Sequence, residues 1–188
     1  MAISTADFRN GMCIEYNNKL CTIVEFQHVK PGKGGAFVRS KLRDIKTGRV
    51  VDYTFNAGTK FDSVRLETKK MQFLYSDGTD FNFMDMSSFE QLSIPAETVG
   101  SAANWLKEND EATLMYAGDE LISIEPPMFV ELEVTETEPG FKGDTATNVT
   151  KPATLETGAE VKVPLFINTG DKIQIDTRTG EYIGRSKE

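Results

Sequence analysis

Along most of the chain apolar and polar residues alternate at period two, in short runs broken by Gly, Asn and Asp. That pattern predicts strands joined by tight turns, with hardly any helix. Met12 to Tyr16 and Leu20 to Phe26 flank the polar pair Asn17-Asn18 and read as a hairpin. The stretch HVKPGKGGAFVRSKLR joins a strand ending near Val29 to one starting at Phe37, so its glycine-rich middle reads as a protruding loop. Pro31-Gly32 within it suits the two central positions of a type II turn. Asp44 to Phe55 repeats the pattern around Lys46-Thr47-Gly48, and the first unit closes near residue 63. From Arg65 the alternation restarts at Met71 to Tyr75, Phe81 to Met86, Leu114 to Tyr116 and Leu121 to Ile124, with a short helix expected over Ala102 to Lys107 that carries Trp105. Pro126-Pro127 cannot continue a sheet interior and marks a second boundary. Phe129 to Val134, Val161 to Val163, Ile173 to Ile175 and Tyr182-Ile183 form a third strand-rich run. Three such units of about 60 residues favour small SH3-like or OB-type barrels, because a closed sheet leaves short strands no exposed edge.

A length of 188 residues allows such a three-barrel plan and disfavours one large enzyme scaffold. No apolar run approaches the roughly 18 residues of a membrane-spanning helix, and the first residues, MAISTADFRNGM, lack the basic start and apolar core of a secretory signal. A soluble cytoplasmic protein without a membrane partner is expected. Cys13 and Cys21 are too few for a disulfide framework and, with one His, cannot complete a standard four-ligand zinc site; they read as reduced strand residues. Neither a metal nor a cofactor is expected. The net charge of −8 argues against a polyanionic partner until it is divided by segment: residues 1–64 carry +4, residues 65–128 carry −8, and residues 129–188 carry −4. This asymmetry suits local contact with a polyanion by the first unit alone.

Enzymatic signatures are missing. His28 has no matching nucleophile motif, PGKGG departs from a Walker A loop because Gly34 follows Lys33, and Glu131 and Glu133 alternate with Leu132 and Val134 as a solvated strand face. The basic loop is more informative. Lys30, Lys33, Arg39, Lys41 and Arg43 follow one another with no carboxylate before Asp44, which favours phosphate contact through Coulomb attraction and counterion release. Lys33 stands between Gly32 and Gly34-Gly35, so one long cation projects from a narrow tip free of side-chain bulk. Such a tip suits a crowded RNA crevice that offers phosphates and 2′-hydroxyls; a solvated hairpin is the plain alternative.

At this loop the sequence resembles the bacterial elongation factor P family: KPGKGGAF at residues 30–37 is similar to that family's modified-lysine loop, with Lys33 at the modified position. EPGFKGDTA at 138–146 and KPATLETGAEVKVPLFINTGDKIQIDTRTGEYIGR at 151–185 resemble its C-terminal signature. The resemblance implies an all-β chain of three small barrels in an L-shaped, tRNA-like arrangement. These are an SH3-like, KOW-type barrel over 1–63, an acidic OB fold over 64–127 and a C-terminal OB fold over 128–188. It implies a monomeric factor with no catalytic centre, which binds both ribosomal subunits between the peptidyl and exit sites. There it would promote peptide bond formation at consecutive prolines by positioning peptidyl-tRNA. Lys33, carrying a group added by a modifying enzyme, would reach toward the tRNA end. Pro31, Gly32, Gly34 and Gly35 would shape the loop, and Lys30, Arg39, Lys41 and Arg43 would touch tRNA. Gly143, Asp144 and Thr145 would look toward the exit-site codon, while Tyr182 and Arg185 would meet tRNA or the small subunit. Otherwise Tyr182 is a strand aromatic and Arg185 a solvated tail residue.

Two other readings compete. A general single-stranded RNA-binding OB protein would need stacking aromatics in basic grooves, whereas Phe73, Phe81 and Phe83 alternate as core residues do in an acidic unit. An elongation factor P-like paralogue would share the architecture and differ at the loop; KPGKGGAF favours the factor proper.

Overall fold

The computed structural model describes residues 2–140 and 149–186. Gly143, Asp144 and Thr145 therefore lie outside the described residues. The all-β expectation holds: sixteen strands account for nearly all regular structure among the described residues. A four-stranded antiparallel sheet is built from β2 (Cys13–Tyr16), β3 (Lys19–Val29), β4 (Phe37–Asp44) and β5 (Val50–Asn56), in that spatial order. β1 (Ala2–Ser4) pairs with β6 (Lys60–Asp62). A second sheet is formed by β7 (Leu66–Ser76), β8 (Asp80–Asp85), β9 (Gln91–Pro95), β10 (Glu111–Ala117) and β11 (Glu120–Glu125), ordered β11-β10-β7-β8-β9. A third comprises β12 (Phe129–Thr137), β13 (Thr150–Leu155), β14 (Glu160–Pro164), β15 (Lys172–Asp176) and β16 (Glu181–Arg185), ordered β14-β13-β12-β15-β16. Each of these three larger sheets contains a register shift, at Ile23/Glu25, Phe73/Tyr75, Val134/Glu136 and Gln174/Ile175. Such irregularities bend strands and sharpen the twist that curls small sheets into barrels.

The turns follow the residues that suit them. Asn17 and Asn18 adopt φ of 51° and 57°, the left-handed pair that lets a two-residue hairpin match the strand twist. One expectation is corrected: the helix lies earlier, as α1 (Ala96–Val99) followed by a 3-10 turn over Gly100–Asn104, so Trp105 sits just beyond it. Pro95, at φ −56°, supplies a backbone already set for a helix start, and Gly100 at φ +60° ends it.

By compactness the chain forms two units, residues 1–68 with 115–123, and residues 69–114 with 124–188. In the first, Phe8, Ile14, Cys21, Ile23, Val38, Leu42, Phe55 and Phe61 make one core. Aromatic edges lock it: Phe8 meets Phe55 at 6.0 Å and Phe55 meets Phe61 at 4.7 Å between ring centres, both edge-on. Cys13 and Cys21 are free and buried, and burial pushes the Cys13 thiol up to about 11. In the second unit, alternate residues of β12 (Val130, Leu132, Val134) join Ile173 and Ile175 in a core while Glu131 and Glu133 stay exposed, as their alternation predicts. Trp105 packs against this core, Thr157 donates its hydroxyl to the Asn104 carbonyl at 2.6 Å, and Lys107 Nζ donates to the Glu131 carbonyl at 2.8 Å.

Candidate nucleic-acid interface

The long β3–β4 hairpin is the scaffold of the basic loop. Its strands stay in register to Val29↔Phe37, and residues 30–36 close it with Lys33 at the midpoint. Lys33, the fourth residue beyond the last pair from either strand, can reach up to about 13 Å past the sheet. Every residue from Lys30 to Gly35 is exposed. The type II turn expected at Pro31-Gly32 is absent: Gly34, at φ +106°, takes the left-handed step instead. A loop of this length reverses over more residues than a four-residue turn, which moves the left-handed position past Lys33. A Cβ on Gly32 or Gly35 would meet nothing within 4 Å. No neighbouring atom of the protein therefore requires the lack of a side chain at either position, and both leave the tip free of bulk.

Below the loop, β4 sorts its side chains by face. Val38, Ser40 and Leu42 are buried, while Arg39, Lys41 and Arg43 line the exposed face at every second residue, which spaces them about 6.7 Å apart. Cross-strand neighbours then distinguish the three cations. Lys41 lies between Glu25 on β3 and Asp52 on β5, and its Nζ is 3.2 Å from the Glu25 carboxylate. Arg39 lies between Gln27 and Thr54, with its guanidinium 5.6 Å from the centre of the Phe37 ring. Arg43 lies between Thr22 and Val50. A groove of about 220 Å³ runs across this face, lined by Gln27, Arg39, Lys41 and Thr54 among others. The structure thus brings Lys30, Lys33, Arg39, Lys41 and Arg43 onto one hairpin and shows that Lys41 faces carboxylates on both sides. Glu25 and Asp52, which the linear charge count passed over, become visible only through strand register.

The C-terminal candidates sit differently. Tyr182 packs against the core of the last sheet, and burial raises its hydroxyl above the ordinary value. Arg185 is held by Asp171 at 2.7 Å. Next to them Arg178 makes a two-pronged bond to Asp176, at 3.0 and 2.7 Å, which holds that carboxyl below its usual range. Phe73 and Phe83 are buried and Phe81 stacks on Phe73 at 5.2 Å, so these rings serve packing. Among the described residues no cluster of three or more His, Cys, Asp or Glu could hold a metal ion, and no helix is long and apolar enough to cross a membrane.

Three small antiparallel sheets, one of them bearing a lysine-tipped basic hairpin, define a modular all-β protein. Residues 4–61 match the family model of the elongation factor P KOW-like domain, residues 66–124 that of its OB domain, and residues 130–185 that of its C-terminal domain. The chain is 56% identical to elongation factor P of Pelotomaculum thermopropionicum over 183 residues, covering 97% of this chain and 99% of the relative. It is also 56% identical to that of Ruminiclostridium cellulolyticum over 185 residues, covering 98% and 100%. Among solved structures, a translation initiation factor 5A family protein from Naegleria fowleri shares the fold, with a TM-score of 0.54 at 16% identity over 66% of this chain and 97% of that one. The chain belongs to the elongation factor P family and is a translation elongation factor.

Proposed function

We propose that this chain binds both subunits of the ribosome between the peptidyl and exit sites and promotes peptide bond formation at consecutive prolines, with Lys33 positioning the peptidyl-tRNA. The observation that carries the reading is the tip of the β3–β4 hairpin: an exposed lysine at the midpoint of a glycine-lined loop, raised on paired strands. Proline's fixed φ makes a nascent Pro-Pro segment awkward to align. A cation that holds the tRNA end in a productive pose supplies orientation, the part of a barrier that positioning lowers, without a reacting group of its own. Gly32 and Gly35 keep the tip narrow for close backbone approach, and Gly34 provides the left-handed turn after Lys33. Lys30, Arg39 and Arg43 contact tRNA phosphates. A modifying enzyme extends Lys33 and lengthens the arm.

In this reading the functional modules are residues 1–63, 64–127 and 128–188. The factor acts in the cytoplasm as a monomer with no catalytic centre. Gly143, Asp144 and Thr145 face the exit-site codon. Tyr182 and Arg185 meet tRNA or the small subunit from the last sheet, where Tyr182 packs against the core and Arg185 is bonded to Asp171. The test is reconstituted translation of a template encoding three consecutive prolines. Protein from its native source restores full-length product and Lys33→Ala does not; failure of the native protein, with its Lys33 state verified by mass spectrometry, overturns the proposal.

A further inference from the structure

Four described non-glycine residues have positive φ. Three are asparagines, which tolerate that region; the fourth is Phe89, at φ +61°. A β-carbon there crowds the following carbonyl, so an aromatic residue is an expensive choice for a turn that Gly or Asn would close freely. The turn is nevertheless well built. The Asp85 carboxylate accepts from the backbone N–H groups of Ser87 at 2.7 Å and Ser88 at 3.1 Å, which holds it below the usual carboxylate range. Phe89 N–H donates to the Asp85 carbonyl and Asp85 N–H to that of Glu90, both at 2.9 Å. This scaffold gives Phe89 no burial in return: the residue is 71% exposed, the most of any large hydrophobic described. Met86 and Leu92, on the two arms of the same hairpin, are 46% and 37% exposed. β9 is the edge of its sheet, so no further strand of that sheet covers this side of the hairpin.

We infer that Phe89 is an anchor that inserts into an apolar socket on a ribosomal protein with a basic rim. The inference rests on the proposed ribosomal role. Charge selects protein over RNA: residues 76–97 contain Asp77, Asp80, Asp85, Glu90 and Glu97 and no Lys or Arg, and of the two cations on the adjoining β7, Lys69 acts on the Asp85 carboxylate and Lys70 is paired with Glu111 at 2.8 Å, so the excess of carboxylates repels phosphates and attracts a cationic protein rim. A fixed backbone strain at an outward aromatic fits a pre-organised contact, because the residue is held in its bound pose before the partner arrives. Central aromatics in dry pockets carry most of the energy in such contacts, and Met86 and Leu92 would form the surrounding apolar seal.

The test uses purified ribosomes and the full-length chain carrying Phe89→Asn, a residue that accepts the left-handed backbone. The expected result is at least a tenfold weaker Kd for ribosomes with a melting temperature equal to or above wild type, and proline rescue recovered at excess factor. A benzophenone amino acid at position 89 crosslinks to a ribosomal protein. An unchanged Kd, a lowered melting temperature that accounts for the loss, or a crosslink to ribosomal RNA overturns the inference. Lack of ribosome binding by the wild-type chain overturns the ribosomal reading and this inference with it; normal wild-type binding beside an unaffected variant overturns this inference alone.

Discussion

Removing the carboxylate beside Lys41 is expected to strengthen RNA binding and removing Lys41 itself to change it little, whereas in a basic loop of equivalent cations the loss of Lys41 would cost as much as the loss of either arginine. Lys41 Nζ lies 3.2 Å from Glu25, with side chains 50% and 66% exposed. At that distance two unit charges attract by about 1.3 kcal/mol in bulk water, and exposed pairs measured by double-mutant cycles retain about 0.2–1 kcal/mol. A phosphate must displace this pairing before it gains Lys41, and it also meets the charge of Asp52 on the other flank. Arg39 and Arg43, flanked by Gln27, Thr54, Thr22 and Val50, face no such competitor across the sheet. Each cation that contacts a phosphate adds roughly 0.7–0.9 to the salt slope, so each contact loses about threefold in affinity between roughly 50 and 200 mM salt. Binding of the factor to a tRNA acceptor minihelix across that range therefore separates the three. Arg39→Gln and Arg43→Gln each lower the slope by about 0.7–0.9, Lys41→Gln leaves it nearly unchanged, and Glu25→Gln raises it. A Lys41→Gln slope as depressed as those of the arginine variants would refute the cross-strand assignment.

Three further outcomes follow from the same structure. Gly34→Ala forces a β-carbon into φ +106° and weakens proline rescue by altering the pose of Lys33 while leaving the melting temperature within a few degrees, since the loop buries nothing. Ile14→Ala, at a fully buried site, costs about 2–5 kcal/mol in denaturant unfolding, whereas Val51→Ala at the exposed end of β5 costs under about 1 kcal/mol. For Asp176 the folded-state value is depressed, chiefly by the Arg178 hydrogen bond, so its contribution is complete above the ordinary carboxyl value of 3.8 and is lost as pH falls through the lower folded value. The melting-temperature gap between wild type and Arg178→Gln is thus flat from pH 5 to 7 and closes below pH 4; a gap unchanged in strong acid would refute it.

The fold was largely legible because period-two alternation reports which face of a strand is buried wherever one side packs on a core, as in Val38, Ser40 and Leu42 against Arg39, Lys41 and Arg43. The helix was misjudged by several residues because apolar spacing around Trp105 resembles a helical stripe, while the effective signals were Pro95 and Gly100 at its ends. The type II turn at Pro31-Gly32 failed for a related reason: dipeptide preference assumes a short loop, and the long one here places its left-handed residue at Gly34.

The site was legible as a composition and illegible as an arrangement. A run of cations in the sequence has no neighbours but its own, yet a sheet gives each residue two more, one on either side. Register converts the uniform basic stretch into two arginines without a carboxylate opposite, separated by a lysine paired to one. It also reconciles the proposed tRNA contact with a net charge of −8: the carboxylates of β3 and β5 lie directly opposite only one of the three cations on that face, and the loop glycines put no side chain of their own beside Lys33. Position along the strand therefore decides which charges are free to act, and the count of charges does not.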